Sequence, residues 1–189
     1  MRKSKGFTLI EILIVLVVIA GMATIITSSM QNREPASEVL AVLSEFNDLI
    51  VFARQESISK QKTYRLTFQS NAEHQDLIKI EVEYDDPEKL GKKLYKQIFS
   101  PYFKTQYDLP ESVKMKAIFK SDKKDEFEEN KGQAYCYLIP SGLVEPIMVH
   151  IIKKIDDRQE TVTFIMEPFK GEFELTYGFV RPTKTGISR

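Results

Sequence analysis

Glu11 is the residue best placed to do chemistry, because it is the sole charge in the 20-residue stretch from Phe7 to Ile26, of which 13 residues are Leu, Ile, Val or Phe. An acid embedded in such a run is costly enough that it needs a cationic partner. Elsewhere the reactive residue types are sparse. His74 and His150 are the only histidines and stand far apart, without carboxylates at metal-ligand spacing. His150 alternates within MVHII and reads as a strand position. Cys136 is the single cysteine, so an intrachain disulfide, a CxxC redox pair and a cysteine-rich zinc site are all excluded. Set between Tyr135 and Tyr137, it reads as a buried small apolar group. The pairs Asp85-Asp86 and Asp156-Asp157 lack the regular donor spacing of a calcium loop and read as turn residues. No nucleophile elbow, phosphate loop or dinucleotide fingerprint is present. Neither catalysis nor a cofactor is expected.

The element that positions Glu11 is a helix. At about 1.5 Å per residue, residues 7 to 26 span roughly the 30 Å hydrocarbon core of a bilayer. Thirteen large apolar side chains contribute on the order of 5 kcal/mol to insertion, against at most about 3 kcal/mol lost to one carboxylate near an end. Arg2, Lys3 and Lys5 precede the run and no like cluster follows it, which keeps the stub cytoplasmic and sends the rest of the chain outward. A cleavable secretory signal has a shorter apolar region and its small residues behind it. Here the distinctive small residue, Gly6, stands in front.

KGFTLIEILIVLVVIAG closely resembles the processing site of type IV prepilins and pseudopilins. The resemblance implies that a prepilin peptidase cuts after Gly6, that Phe7 becomes the N-methylated terminus, and that Glu11 is the acidic residue of assembly. The amine freed at Phe7 of an adjacent subunit would then be the partner of Glu11, neutralising both charges at low dielectric and fixing the register between helices. It also implies a bacterial inner-membrane protein, single-pass, with a cytoplasmic N-terminus and a periplasmic head, that later enters a pseudopilus or pilus. The implied partners are other pilin or pseudopilin subunits, the prepilin peptidase, the inner-membrane assembly platform, the lipid bilayer and secreted cargo.

Beyond the apolar run, Val39, Leu43, Phe46, Ile50 and Ala53 recur at steps of four and three, with Val42 and Leu49 widening the stripe. This predicts an amphipathic helix over 30–62 that packs on a sheet. Pro35 predicts a kink or break before it. Alternation predicts strands at 64–68, 78–84, 113–119, 134–139, 147–153, 161–167 and 172–179. Leu90, Leu94 and Ile98 predict a short helix, and SDKKDEFEENKG, 121–132, an exposed charged loop. The expected organisation is a leader at 1–6, a transmembrane and polymerisation helix at 7–29, the amphipathic helix at 30–62 and a β-rich head at 63–189. The fold class is α+β, a long N-terminal helix packed on a mainly antiparallel, pilin-like sheet head.

LIVFARQESISKQKTYRLTF, 49–68, resembles the helix-to-strand passage of the GspH/FimT group of minor pseudopilins and minor pilins, with Ala53, Arg54, Glu56, Ile58, Arg65, Leu66 and Phe68 in place. Leu109-Pro110 with Val113, and Pro140-Ser141-Gly142, resemble that group's later turns. The implied function is structural: a minor subunit of a type II secretion pseudopilus or a type IV pilus. The alternative is a DNA-binding minor pilin acting in DNA uptake, with Arg181, Lys184 and Arg189 of the acid-free tail as the contacts. The chain has 27 basic and 27 acidic residues, and loss of Arg2, Lys3 and Lys5 leaves 24 basic. Three tail charges on a mildly acidic chain support only weak, steeply salt-dependent binding, so nucleic acid is not an expected partner. An anchored enzyme is disfavoured by the lack of a site.

Overall fold

The computed structural model describes residues 9–10, 12–13, 15–16, 34–70, 75–89, 91–120, 124–155 and 158–181. The chain divides into two compact units, Met1–Glu38 and Val39–Arg189. In the first, residues 9–10, 12–13 and 15–16 are helical and exposed. Among the described residues no helix is long and apolar enough to cross a membrane. Most of the 7–29 segment, and residues 30–33 where the expected break ahead of Pro35 would fall, lie outside them; Pro35 itself stands in the first turn of the described helix.

A helix runs over Glu34–Lys60. Its steps of three and four place Val39, Val42, Phe46, Leu49, Ile50 and Ala53 on one stripe, all buried. The helix stops where Gln61 enters the left-handed region at φ 51°. The Lys62 amide then reaches back to the Ser57 carbonyl at 3.3 Å, which satisfies a carbonyl of the last turn in the manner of a Schellman ending.

Among the described residues nine strands follow, in two antiparallel sheets. The first holds β1 (Tyr64–Gln69), β2 (Leu77–Asp85), β3 (Lys93–Gln97), β4 (Gln106–Asp108) and β6 (Gln133–Leu138), in the order β3-β2-β1-β6 with β4 also on β2. The second holds β5 (Val113–Phe119), β7 (Met148–Ile155), β8 (Arg158–Glu167) and β9 (Glu172–Tyr177), in the order β5-β7-β8-β9. Period-two alternation sends Tyr64, Leu66 and Phe68, Ile78 and Ile80, and Ala134, Cys136 and Leu138 into the core from the first sheet. The second sheet contributes Val149, Ile151, Val162, Phe164, Met166 and Phe173. Both sheets meet at Phe46, fully buried, whose ring lies 6.1 Å from Phe68, 5.3 Å from Phe164 and 5.6 Å from Phe173, edge-on to the last two. A buried carboxylate joins the sheets elsewhere: Asp76 accepts from the Ser70 hydroxyl at 2.6 Å and from the Met115 amide, in β5, at 2.5 Å.

Three local expectations are corrected. Leu94 and Ile98 belong not to a helix but to β3 and its exit, because a spacing of four suits a strand as well as a helix and Gly91, at φ 84°, turns the chain back onto β2. The charged segment 121–132 is not wholly an exposed loop. Asp125 caps a helical turn, Glu126–Glu129, by accepting from Phe127 and Glu128, and Phe127 is buried. The helix packs on two sheets rather than one, and β4, three residues long, had no alternation to announce it.

Replacing Phe46 by Ala removes the ring shared by helix and both sheets. The expected loss is about 3–5 kcal/mol, as for other large-to-small core changes. It is read as a shift of the urea midpoint by near-ultraviolet circular dichroism of the detergent-solubilised chain.

Candidate functional site

The residues with assigned chemistry fall mostly beyond direct view. Gly6, Phe7 and Glu11, and in the tail Lys184 and Arg189, lie outside the described residues. Arg181 is described and exposed. What the structure does define is the head that such an anchor would carry, and three polar devices give it its surface.

The first centres on Arg54, at the end of the long helix. Its Nε donates to the Gly142 carbonyl at 2.8 Å, its Nη1 to Lys170 O at 2.6 Å and its Nη2 to Phe169 O at 3.4 Å. One guanidinium thereby holds the turn after β6, in the first sheet, and the β8–β9 turn, in the second. Only a planar fork with several donors reaches both. Both turns need glycine where they approach it. A Cβ on Gly142, at φ 82°, would meet the Ile58 side chain at 2.9 Å, and one on Gly171, at φ 71°, would meet Arg54 Nη1 at 2.7 Å. Nearby, Asn47 donates Nδ2 to the Phe173 carbonyl at 3.2 Å and accepts from its amide at 2.6 Å, blunting the free edge of β9.

The second lies on the outer face of the first sheet. Arg65 pairs with Glu81 at 2.6 Å, and its guanidinium lies 4.0 Å from the Tyr95 ring centroid and 4.1 Å from that of Tyr135. Glu81 is buried beneath them, and accepts from Thr67 at 2.8 Å with Lys79 at 3.2 Å. Burial pushes the Glu81 carboxyl up, but the hydrogen bonds from Thr67 and Arg65 and the charges of Arg65 and Lys79 outweigh it and hold it below its ordinary value. Arg54, Arg65, Leu66 and Phe68, among the residues on which the head's resemblance rests, thus act in packing and clamping the head.

The third covers the outer face of the second sheet. The Gly178–Val180 segment folds over β7 and β8. Thr163 Oγ1 donates to Gly178 O at 2.7 Å, and His150 Nε2 donates to Val180 O at 2.8 Å. Because a carbonyl can only accept, the neutral imidazole carries its proton on Nε2. Nδ1 is then a bare acceptor, buried and without a hydrogen-bond partner. Phe179 lies against the ring at 3.7 Å between centroids. Burial holds the imidazole below its ordinary value, against the opposing pull of the Val180 carbonyl and the Asp125 charge. Cys136, fully buried, has its thiol pushed up by desolvation, consistent with an inert packing role.

Sequence reasoning missed the 98–103 loop, where Phe99 and Tyr102 stand exposed beside a groove lined by Phe52 and Phe103. The dense aromatics of IFSPYF were the available signal. Among the described residues no cluster of three or more metal-ligating side chains forms.

Two outcomes follow. Arg54→Ala leaves the Gly142 and Lys170 carbonyls unpaired and is expected to cost about 2 kcal/mol by urea unfolding; Arg54→Lys recovers little of it, since an ammonium lacks the fork. For His150, the unfolded chain takes up a proton near the ordinary value of 6.5 while the folded chain resists it. Stability is therefore full above that pH and falls as pH drops below it, by up to about 1.4 kcal/mol per unit until the folded chain also protonates. Unfolding midpoints taken between pH 8 and 5 (about a thousandfold span of acidity) check this, and His150→Gln should flatten the slope.

Comparison with known proteins bears on both ends of the chain. Residues 1–27 match the prokaryotic N-terminal methylation motif. No curated protein matches the sequence. Among solved structures, the chain is similar to the minor pseudopilin EpsH from the Type 2 Secretion System of Vibrio cholerae, with TM-score 0.51 and 12% identity, over 74% of this chain and 97% of that one. At that identity the likeness concerns the fold. The chain thus combines a match to the prokaryotic N-terminal methylation motif with a helix-and-sheet head whose fold is similar to that of a minor pseudopilin.

Proposed function

We propose that the chain is a minor pseudopilin or minor pilin, a structural subunit cut after Gly6, methylated at Phe7 and assembled through its N-terminal helix. The observation that carries this is the pairing of the methylation motif at residues 1–27 with a pseudopilin-type head. Physical chemistry supports each step. Cleavage removes Arg2, Lys3 and Lys5 and creates an amine at the edge of an apolar helix, where Glu11 of a neighbouring subunit can neutralise it. The apolar stretch 7–26 has the length to hold the precursor in the inner membrane, and the cationic stub orients it with its head in the periplasm. The head is clamped at both sheets, and serves as a rigid block presented to companion subunits or cargo.

Mass spectrometry of the chain from cells with an active prepilin peptidase should show a terminus at methylated Phe7; a terminus remaining at Met1 sinks the proposal. In the same cells Glu11→Gln is expected to insert and be processed, yet be lost from sheared filaments or pseudopili. Normal incorporation of that variant would refute the charge pairing while leaving processing intact.

A further inference from the structure

We infer that the free edge of β3 takes up an extended, acid-bearing strand of a different polypeptide, which sets one apolar side chain in the groove beside Phe52 and Phe103. An open strand edge is a row of unpaired amides and carbonyls, a template for pairing unless something covers it. The two sheets end on β6, β5, β9 and β3, and the first three edges are covered. Asn47 takes both the amide and the carbonyl of Phe173 in β9. On β5, Asp76 accepts from the Met115 amide and Asp125 from the Ile118 amide at 3.1 Å. On β6, the Glu145 carboxylate accepts from the Tyr137 amide at 3.2 Å, and the Glu145 amide donates to the Tyr137 carbonyl at 2.9 Å. The β3 edge is different. The Lys92 carbonyl accepts from the Asp86 amide at 2.9 Å and the Ile98 amide donates to the Ile80 carbonyl at 3.1 Å, so positions 92, 94, 96 and 98 turn toward β2. By alternation the backbone groups of Lys93, Tyr95 and Gln97 turn outward, and among the described residues they meet no backbone partner there.

This edge leads into a groove of about 960 Å³, which Lys96 of β3, the 98–103 loop and Phe52 of the long helix all line. Phe52 stacks flat on Phe103, with ring centroids 4.2 Å apart and planes 5° from parallel. Phe99 and Tyr102 stand 85% and 96% exposed beside them. Scattered apolar residues need no explanation, but aromatic surface gathered in a concavity marks a contact site. Lys96 lies opposite Val82, a core residue, so the groove opens on the face of the sheet that the helix covers. A strand added along β3 sends alternate side chains to that face, and the one beside the loop meets the groove. Main-chain pairing then supplies affinity and the pocket selects the side chain.

Charge narrows the occupant. Lys93 is taken by Glu83 and Asp85, Lys92 by Asp86 and Lys60 by Glu56. Lys96 and Lys104, at the two ends of the loop, make no ion pair among the described residues and lie only over the rings of Tyr84 and Tyr107, 5.4 and 4.8 Å from the centroids. Two ammonium groups are left to be neutralised, and a strand with carboxylates complements them. Lysines on an edge also guard it against indiscriminate pairing. A second copy of β3 laid along this one would bring the lysines of both edges together, which is destabilising. The added strand therefore comes from another polypeptide, as suits a minor subunit set among companion subunits and cargo. The inference rests on that reading only for bringing such a partner within reach.

The test uses the full-length chain in its native membranes, in cells that assemble the complete structure, with photoreactive benzoylphenylalanine in place of Phe99. Irradiation should give an adduct with a different polypeptide, and mass spectrometry should place it in a segment of alternating apolar residues that carries at least one Asp or Glu. Gln97→Pro deletes one outward amide and spares the ladder to β2, a place where proline is tolerated. It should cut the adduct about fivefold, the worth of one hydrogen bond, while Gln97→Ala changes it little. Lys93→Pro, at the first residue of the strand, repeats the measurement if Gln97→Pro lowers the urea midpoint, and the mapped segment is a readout that needs neither variant. Lys96→Glu should lower the yield about threefold, as expected for one exposed charge pair. The inference is overturned by the absence of an adduct, by adducts only with lipid or with a second copy of this chain, by a mapped segment without a carboxylate, or by an adduct that persists in a folded proline variant. The state of Phe7, read in the same sample, separates the two claims. A methylated Phe7 without an adduct removes this contact and leaves the assembly reading standing; a proline-sensitive adduct from chains still starting at Met1 supports the contact and removes the other.

Discussion

One apolar helix stripe buried against two sheets at once is the constraint on which the head depends. Each sheet has one face to hide, and the two do not pair with each other through backbone hydrogen bonds. Phe46 resolves this by setting one ring against Phe68 of β1, Phe164 of β8 and Phe173 of β9. A large ring with edge and face contacts can serve three neighbours in different planes, which an aliphatic side chain of that length would not fill. The rest of the stripe, from Val39 to Ala53, extends the contact along the helix.

Burial alone is not directional, so polar contacts set where the sheets sit on the helix. Arg54 reads backbone carbonyls from a turn of each sheet, and Asn47 reads the backbone of Phe173. These contacts do not depend on the side chains of the turns, only on their backbone coming near. That is why the turns carry Gly142 and Gly171 there. On the outer faces, the Arg65 and Glu81 cage and the strap over His150 enclose polar groups that would otherwise compete for water. The strap is the weaker of the two at acid pH, because His150 Nδ1 has no acceptor ready for a second proton.

Much of the fold was legible along the chain. The strand at 113–119 matches alternation directly, and β6, β7 and β9 differ from expectation only at their ends. The errors share one cause. Leu94 and Ile98 are four apart, a step common to both periods, and only pairing with β2 selected the strand. In 121–132 the charge density concealed Phe127, which is buried where its helical turn folds back onto β5 and β6. The candidate site was legible in part. Arg54 and Arg65 stood out through resemblance, but their partners, at Gly142, Lys170, Tyr95 and Tyr135, lie 30 to 116 residues away.

The amino-acid sequence by itself determined the local chemistry: a lone acid in an apolar run behind a cationic stub and a glycine, one amphipathic stripe, and a series of alternating segments. Those are properties of neighbours along the chain, set by hydropathy and by the periods of helix and strand. Tertiary structure alone decided that the strands divide into two sheets, that one arginine joins their turns, and that an aromatic groove opens between the long helix and the exit of β3. These depend on which distant segments meet, and hydrophobic burial drives such meetings without naming the partners in any short stretch of residues.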